Sequence, residues 1–146
     1  MIKLVADVAL IHGDRVLLVK YKDVRRYDGQ TGWFLPDDYM QRLEHPMAAG
    51  ARILGEQVGL AFLALDIGFI ESFESNGDWH LVFHLFGRID GEVDLAATGN
   101  TAEAKWFQKG SLPPRDEVAH EGWAIDVLDA LARPHEEAIR IRSVVE

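Results

Sequence analysis

The chain has 146 residues, 48% hydrophobic and 27% charged, which suits one soluble domain with a sizeable core. Its net charge of −9 argues against a nucleic-acid-backbone binder, which would show a basic patch, and without cysteine it has no disulfide, thiol catalysis or Cys-based zinc site. The opening MIKLVADVAL lacks a signal-peptide layout, and no apolar run approaches the ~18 residues of a membrane span, so a cytoplasmic address without membrane contact is expected.

Leu4 to Ile11 is apolar apart from Asp7 and reads as a buried strand. His12-Gly13-Asp14 turns the chain into a second strand, Arg15 to Tyr21. Lys22 to Gly32 is polar and reads as a loop, either a solvated basic surface or a source of phosphate contacts through Lys22, Arg25 and Arg26. Trp33 opens a short strand ending in Leu35-Pro36, and a polar loop follows. Pro46 suits the first turn of a helix that Gly59 closes. Met47, Ala51, Leu54 and Val58 form its apolar stripe, which leaves positions 53 and 57 beside the core seam. Arg52 and Glu56 stand one turn apart, close enough to pair.

Phe62 to Ser75 is strand-rich, with Leu63, Leu65, Ile67 and Phe69 alternating, and Asn76-Gly77 is a strong hairpin signal. On the return strand, Trp79 to Ile89, His80 and His84 share a face, as a half-exposed sheet surface or as a metal pair or base. Asp90-Gly91-Glu92 turns, and Leu95 to Ala104 is looser and contains Glu103. Asp116 to Leu131 reads as a helix with Ile125, Leu128 and Ala132 toward the core. The tail, His135 to Glu146, is open between a short helix, an interface arm and a frayed end. A phosphate loop, a Gly-x-Ser-x-Gly elbow and a His-Glu-x-x-His zinc motif are all missing from the sequence.

The stretch from Trp33 to Leu60 resembles the signature of the Nudix superfamily, hydrolases of nucleoside diphosphates linked to another group. Against G-x5-E-x7-R-E-U-x-E-E-x-G-U, with U a bulky aliphatic residue, Glu44, Arg52, Leu54, Glu56, Gly59 and Leu60 fall in place, while Asp38, Ile53 and Gln57 do not. Trp33-Phe34-Leu35-Pro36 and the later Trp106 and Leu112-Pro113 are also family-like. The resemblance implies an α+β fold, an α/β/α sandwich around a mixed β-sheet, with one domain over residues 1–133 and a tail over 134–146.

The resemblance further implies hydrolysis of a diphosphate linkage assisted by Mg²⁺ or Mn²⁺, which prefer oxygen ligands. Glu56 is the expected principal ligand, with Asp37, Asp38 and Glu103 as candidate helpers; Arg52 and Glu44 hold the loop–helix geometry. Ile53 stands where the family has a glutamate and can neither ligate nor take a proton, so the general base is unassigned. Asp37-Asp38 replaces Gly-Gly and is either loop polarity in a decayed site or a set of substitute carboxylates for a moved metal. Metal binding is expected to be weak and activity reduced or altered. The alternatives are a silent module binding a nucleotide-like small molecule and a structural partner, with a homodimer left open.

Overall fold

A computed structural model describes residues 1–61, 64–91, 93–133 and the backbone of 141–144. The predicted elements at Phe62, Leu63 and Glu92, and the tail beyond Arg133 other than 141–144, lie outside the described residues. The strands are β1 (Ile2–His12), β2 (Arg15–Tyr21), β3 (Asp37–Tyr39), β4 (Asp66–Ser75), β5 (Asp78–Ile89), β6 (Thr101–Gln108) and β7 (Ile141–Val144); the helices are α1 (Pro46–Val58) and α2 (Ala119–Leu131). The sheet runs β6-β2-β1-β5-β4-β7, with β3 also paired to β1. β1 and β5 are parallel over the whole of β1, whereas β2, β3 and β6 join antiparallel, so the sheet is mixed.

Alternation along β1 sorts the core into two layers. Ala6, Val8 and Leu10 pack with Ala49, Ile53, Leu54 and Val58 of α1; Ala9 and Ile11 pack on the opposite face with Ala124 and Val127 of α2. The result is the α/β/α sandwich that the resemblance implied. No helix among the described residues is long and apolar enough to cross a membrane.

Several local expectations are corrected. The strand near Leu35-Pro36 follows the proline: Asp37–Tyr39 pairs with Val5–Asp7, whereas Trp33 and Phe34 make only isolated bridges. On α1 the buried face is Ala49, Gly50, Ile53, Leu54, Gln57 and Val58, while Met47 is 39% exposed and Ala51 half-buried. The helix rolls because Gly50, lacking a side chain, lets its backbone approach Leu85 and Leu65. In β4 the alternation breaks at a register shift between Ile67 and Phe69, which leaves Ile67 exposed and Phe69 buried. The helix expected from Asp116 starts at Ala119, and His120, Glu121 and Gly122 have left-handed backbone angles, so Ala124 and Val127 face the core while Ala132 is exposed.

This irregular entry into α2 is pinned to the segment before β3. Trp33 N–H donates to the Glu117 carbonyl and Ala119 N–H to the Trp33 carbonyl, both at 3.0 Å. Gly32 makes the approach feasible: its φ is +100°, and a Cβ there would sit 2.5 Å from the Glu117 carbonyl oxygen. Gly32→Ala should therefore lower stability by about 2 kcal/mol or more, through backbone strain and overpacking together. Urea denaturation checks it; an unchanged midpoint would show that the 115–122 segment is not held at this point.

Candidate functional site

Each face of β3 carries its own polar assembly, because successive side chains on a strand point oppositely. Asp38 lies opposite Ala6 and points toward α1, whereas Asp37 lies opposite Asp7 and points toward α2. Both aspartates still line one cleft, but Arg52 and Glu56 do not reach it, so the expected gathering of all four is met only for the aspartate pair.

On the α1 side Arg52 gathers the chain. Its Nε donates to Glu44 Oε2 at 2.8 Å and Nη2 to Glu44 Oε1 at 3.1 Å. Nη2 also donates to the Tyr39 carbonyl at 3.0 Å, and Nη1 reaches Glu56 Oε1 at 2.8 Å and Asp38 Oδ2 at 3.4 Å. The hydrogen bonds from Arg52 pull the Glu44 carboxyl below its ordinary pKa, while those to Glu44 and then Glu56 raise that of Arg52. Arg26 forms a second ion pair with Asp38. Arg25 pairs with Asp23.

Beneath this knot, Gln57 is a structural tie. Its Nε2 donates to the Asp37 carbonyl at 2.8 Å, and its Oε1 accepts from the Tyr21 hydroxyl at 2.8 Å. Tyr27 donates to the same carbonyl at 3.1 Å, and Asp37 N–H donates to the Tyr21 oxygen at 3.0 Å. Burial, then the nearby Asp37 carboxyl, raises the Tyr21 hydroxyl well above its ordinary pKa and keeps it a donor. Tyr21 and Tyr27 stack with centroids 4.0 Å apart. Ile53, next along the same face, is fully buried.

These contacts test whether a divalent cation fits. Such an ion needs several converging oxygen ligands. Positions 53 and 57 supply a core hydrocarbon and an amide already bonded at both ends, and the 58%-exposed Glu56 is paired to Arg52. Asp37 faces away, and Glu103 lies exposed on β6 opposite Lys20, in a strand and not the expected loop. Among the described residues no three acidic or histidine side chains are placed to hold a metal. The donor set does not fit Mg²⁺ or Mn²⁺.

On the α2 side a cleft of about 280 Å³ opens over β1, β3, β4 and β5. Its walls include Arg26, Asp37, Tyr39, Phe73, His80 and Trp123. Behind Glu71, which lines it, His84 Nδ1 lies 2.7 Å from Asp7 Oδ1 and Nε2 lies 2.7 Å from Glu71 Oε1. Trp123 Nε1 donates to the same Glu71 oxygen at 3.1 Å, which ties α2 to the sheet. His84 is 0% exposed, not on the half-exposed surface that its strand spacing suggested, because β1 and α2 cover it. Burial alone pushes its imidazole down, but the Asp7 carboxylate and then Glu71 outweigh that and leave its pKa at about 9. The sequence signal for this trio was the lone Asp7 in an apolar strand; Glu71 and the pairing of Asp7 with His84 were missed, since they depend on β1 and β5 lying side by side.

The NUDIX domain profile matches residues 1–127, and the chain belongs to that family. The fold agrees: a NUDIX hydrolase from Nitrosomonas europaea has a TM-score of 0.72 at 17% identity, over 99% of this chain and 79% of that one. A MutT NUDIX hydrolase from Burkholderia pseudomallei gives 0.71 at 18% identity, over 86% and 97%. A bifunctional NMN adenylyltransferase/ADP ribose pyrophosphatase from Francisella tularensis, complexed with AMP and a Mn ion, gives 0.66 at 16% identity, over 90% of this chain and 42% of that one. No curated protein matches by sequence.

Two predictions follow from the two faces. Ile53→Glu with Gln57→Glu would rewrite the box glutamates, but one would enter the core and the other would aim a carboxylate at the Asp37 carbonyl. The double variant should lose about 3 kcal/mol or more to uncompensated buried charge. A wild-type urea midpoint would refute this packing. For His84, a folded-state pKa raised from 6.5 to about 9 means that its contribution is complete below about pH 6.5 and is lost as pH rises through about 9. Stability should therefore fall by on the order of 3 kcal/mol across that window. Denaturation at several pH values and an NMR titration of the imidazole check it; a titration midpoint near 6.5 would refute the buried ion pair.

Proposed function

We propose that this Nudix-fold protein binds a nucleoside diphosphate derivative at the cleft beside β3 and hydrolyses its diphosphate bridge far more slowly than members with a complete box. The observation that carries the reading is the use of the box inside the protein. Glu56 is paired to Arg52, and residues 53 and 57 belong to the core and to the β3 tie. A ligand would find a formed pocket with aromatic walls, but the helix offers it no carboxylate cluster and no base at position 53. Arg52 and Glu44 serve the geometry of the loop by holding Tyr39 and α1 together. The related structures support the ligand class, since they are of hydrolases and one of them is complexed with AMP and a Mn ion.

The test is turnover with Mg²⁺ or Mn²⁺ against nucleoside triphosphates, dinucleoside polyphosphates, nucleotide sugars and dinucleotide cofactors. Loss of a positioned base alone should place rates about 10²–10⁴-fold below those of an intact member. A thermal-shift screen of the same panel should still find a stabilising ligand. Brisk turnover that Asp38→Ala or Glu56→Gln abolishes would show that these carboxylates leave Arg52 and act on the substrate, and the proposal would fall.

A further inference from the structure

Among the described residues the Asp37 carboxyl has no hydrogen-bond partner. The residue is 7% exposed, yet its backbone alone is tied: the N–H to Tyr21, the carbonyl to Gln57 and Tyr27. Its carboxyl oxygens make no hydrogen bond among the described residues. These oxygens are not among the enclosed, unpartnered polar atoms of the described residues, so they open onto the cleft that Asp37 lines. Burial first, then Asp7 and Asp38, raises its pKa well above the usual carboxylate range, which favours the neutral acid. A neutral carboxyl offers one donor and one acceptor side by side.

The surroundings narrow what would meet it. The cleft that Asp37 lines is walled by flat rings, among them Tyr39, Trp123 and the stacked Phe73 and His80. It also carries Asp28, Asp38, Glu71 and Glu74, and its Arg26 is already paired to Asp38. Those acids are largely matched, Asp38 by Arg26 and Arg52, Glu71 by His84 and Asp28 by His120. Among the described residues the wall has no spare arginine or lysine for a phosphate, and its rings suit an uncharged planar group.

We propose that the Asp37 side chain reads the edge of a planar heterocycle, pairing with an adjacent donor and acceptor on the ring, and that the cleft holds this base end of the ligand and not its phosphates. The inference rests on the cleft being the ligand site. It gives Asp37 a hydrogen-bonding role that needs a neutral group, in place of metal ligation, which needs a charge. Asn offers the same donor and acceptor pair, so Asp37→Asn separates the two roles.

The experiment is calorimetric titration of the full chain with adenosine, guanosine, cytidine and uridine, and separately with inorganic pyrophosphate plus Mg²⁺. At least one nucleoside should bind and pyrophosphate should not. Asp37→Asn should keep nucleoside affinity within about threefold, and Asp37→Ala should lose about tenfold or more. Since the carboxyl makes no hydrogen bond among the described residues and the ties that hold β3 run through the Asp37 backbone, neither change removes them. A crystal soaked with the binding nucleoside gives a readout independent of the variants: the carboxyl should contact the base edge. An Asn variant as weak as the Ala variant, pyrophosphate as the sole binder, or a base seated elsewhere overturns the inference. If ADP-ribose binds all three proteins equally while nucleosides do not, the proposed function survives and this inference fails. If neither binds, both fail.

Discussion

The Arg52 guanidinium is the constraint on which the rest of the site depends. A guanidinium carries its donors in a rigid planar fork, so where it is half-buried every acceptor must come to it. Here the loop brings Asp38, the Tyr39 carbonyl and Glu44, and the helix brings Glu56. That arrangement fixes β3 against β1, and the register of β3 then sends Asp38 to one face and Asp37 to the other. The cleft takes its shape from this step, because its wall on that side is β3 itself.

The replacements in the box form a consistent set. A metal-bearing helix end would gather carboxylates and depend on the ion to neutralise them. In this chain a cation of the protein's own, Arg52, pairs with those that remain, and the others have become hydrocarbon and amide. Gln57 shows why an amide stands there: it must donate to one neighbour and accept from another, and a carboxylate would only accept. Asp37 occupies a glycine position without backbone strain, since it lies in a regular strand and is absent from the residues with positive φ.

The opposite face uses charge differently. His84 is held as a cation between Asp7 and Glu71 in full burial, and Glu71 in turn anchors the Trp123 indole. Unpaired, any of these charges would be costly there; paired and hydrogen-bonded, they join β1, β4, β5 and α2 at one point. The two assemblies meet at β3, one through its backbone and Asp38, the other beside Asp37.

Local signals were legible where a single residue type decides the backbone. Pro46 starts α1 and Gly59 ends it in a left-handed conformation; Asn76-Gly77 makes the hairpin; Arg52 pairs with Glu56 one turn away. Family membership was legible as well, because the spacing of Glu44, Arg52, Glu56 and Gly59 is a property of the chain alone. The face that α1 buries was not, since periodicity allowed more than one stripe and the choice fell to Gly50, whose lack of a side chain matters only once Leu85 and Leu65 lie opposite it. Nor was the Asp7–His84–Glu71 trio, whose members meet only through parallel pairing of β1 with β5 and antiparallel pairing of β5 with β4. The sequence by itself determined which residues carry charge and where the helix starts and stops, because those follow from chemistry within a turn or two of chain. The tertiary structure alone decided which charges neutralise one another and which carboxyl faces the cleft, because pairing depends on register between strands far apart in sequence.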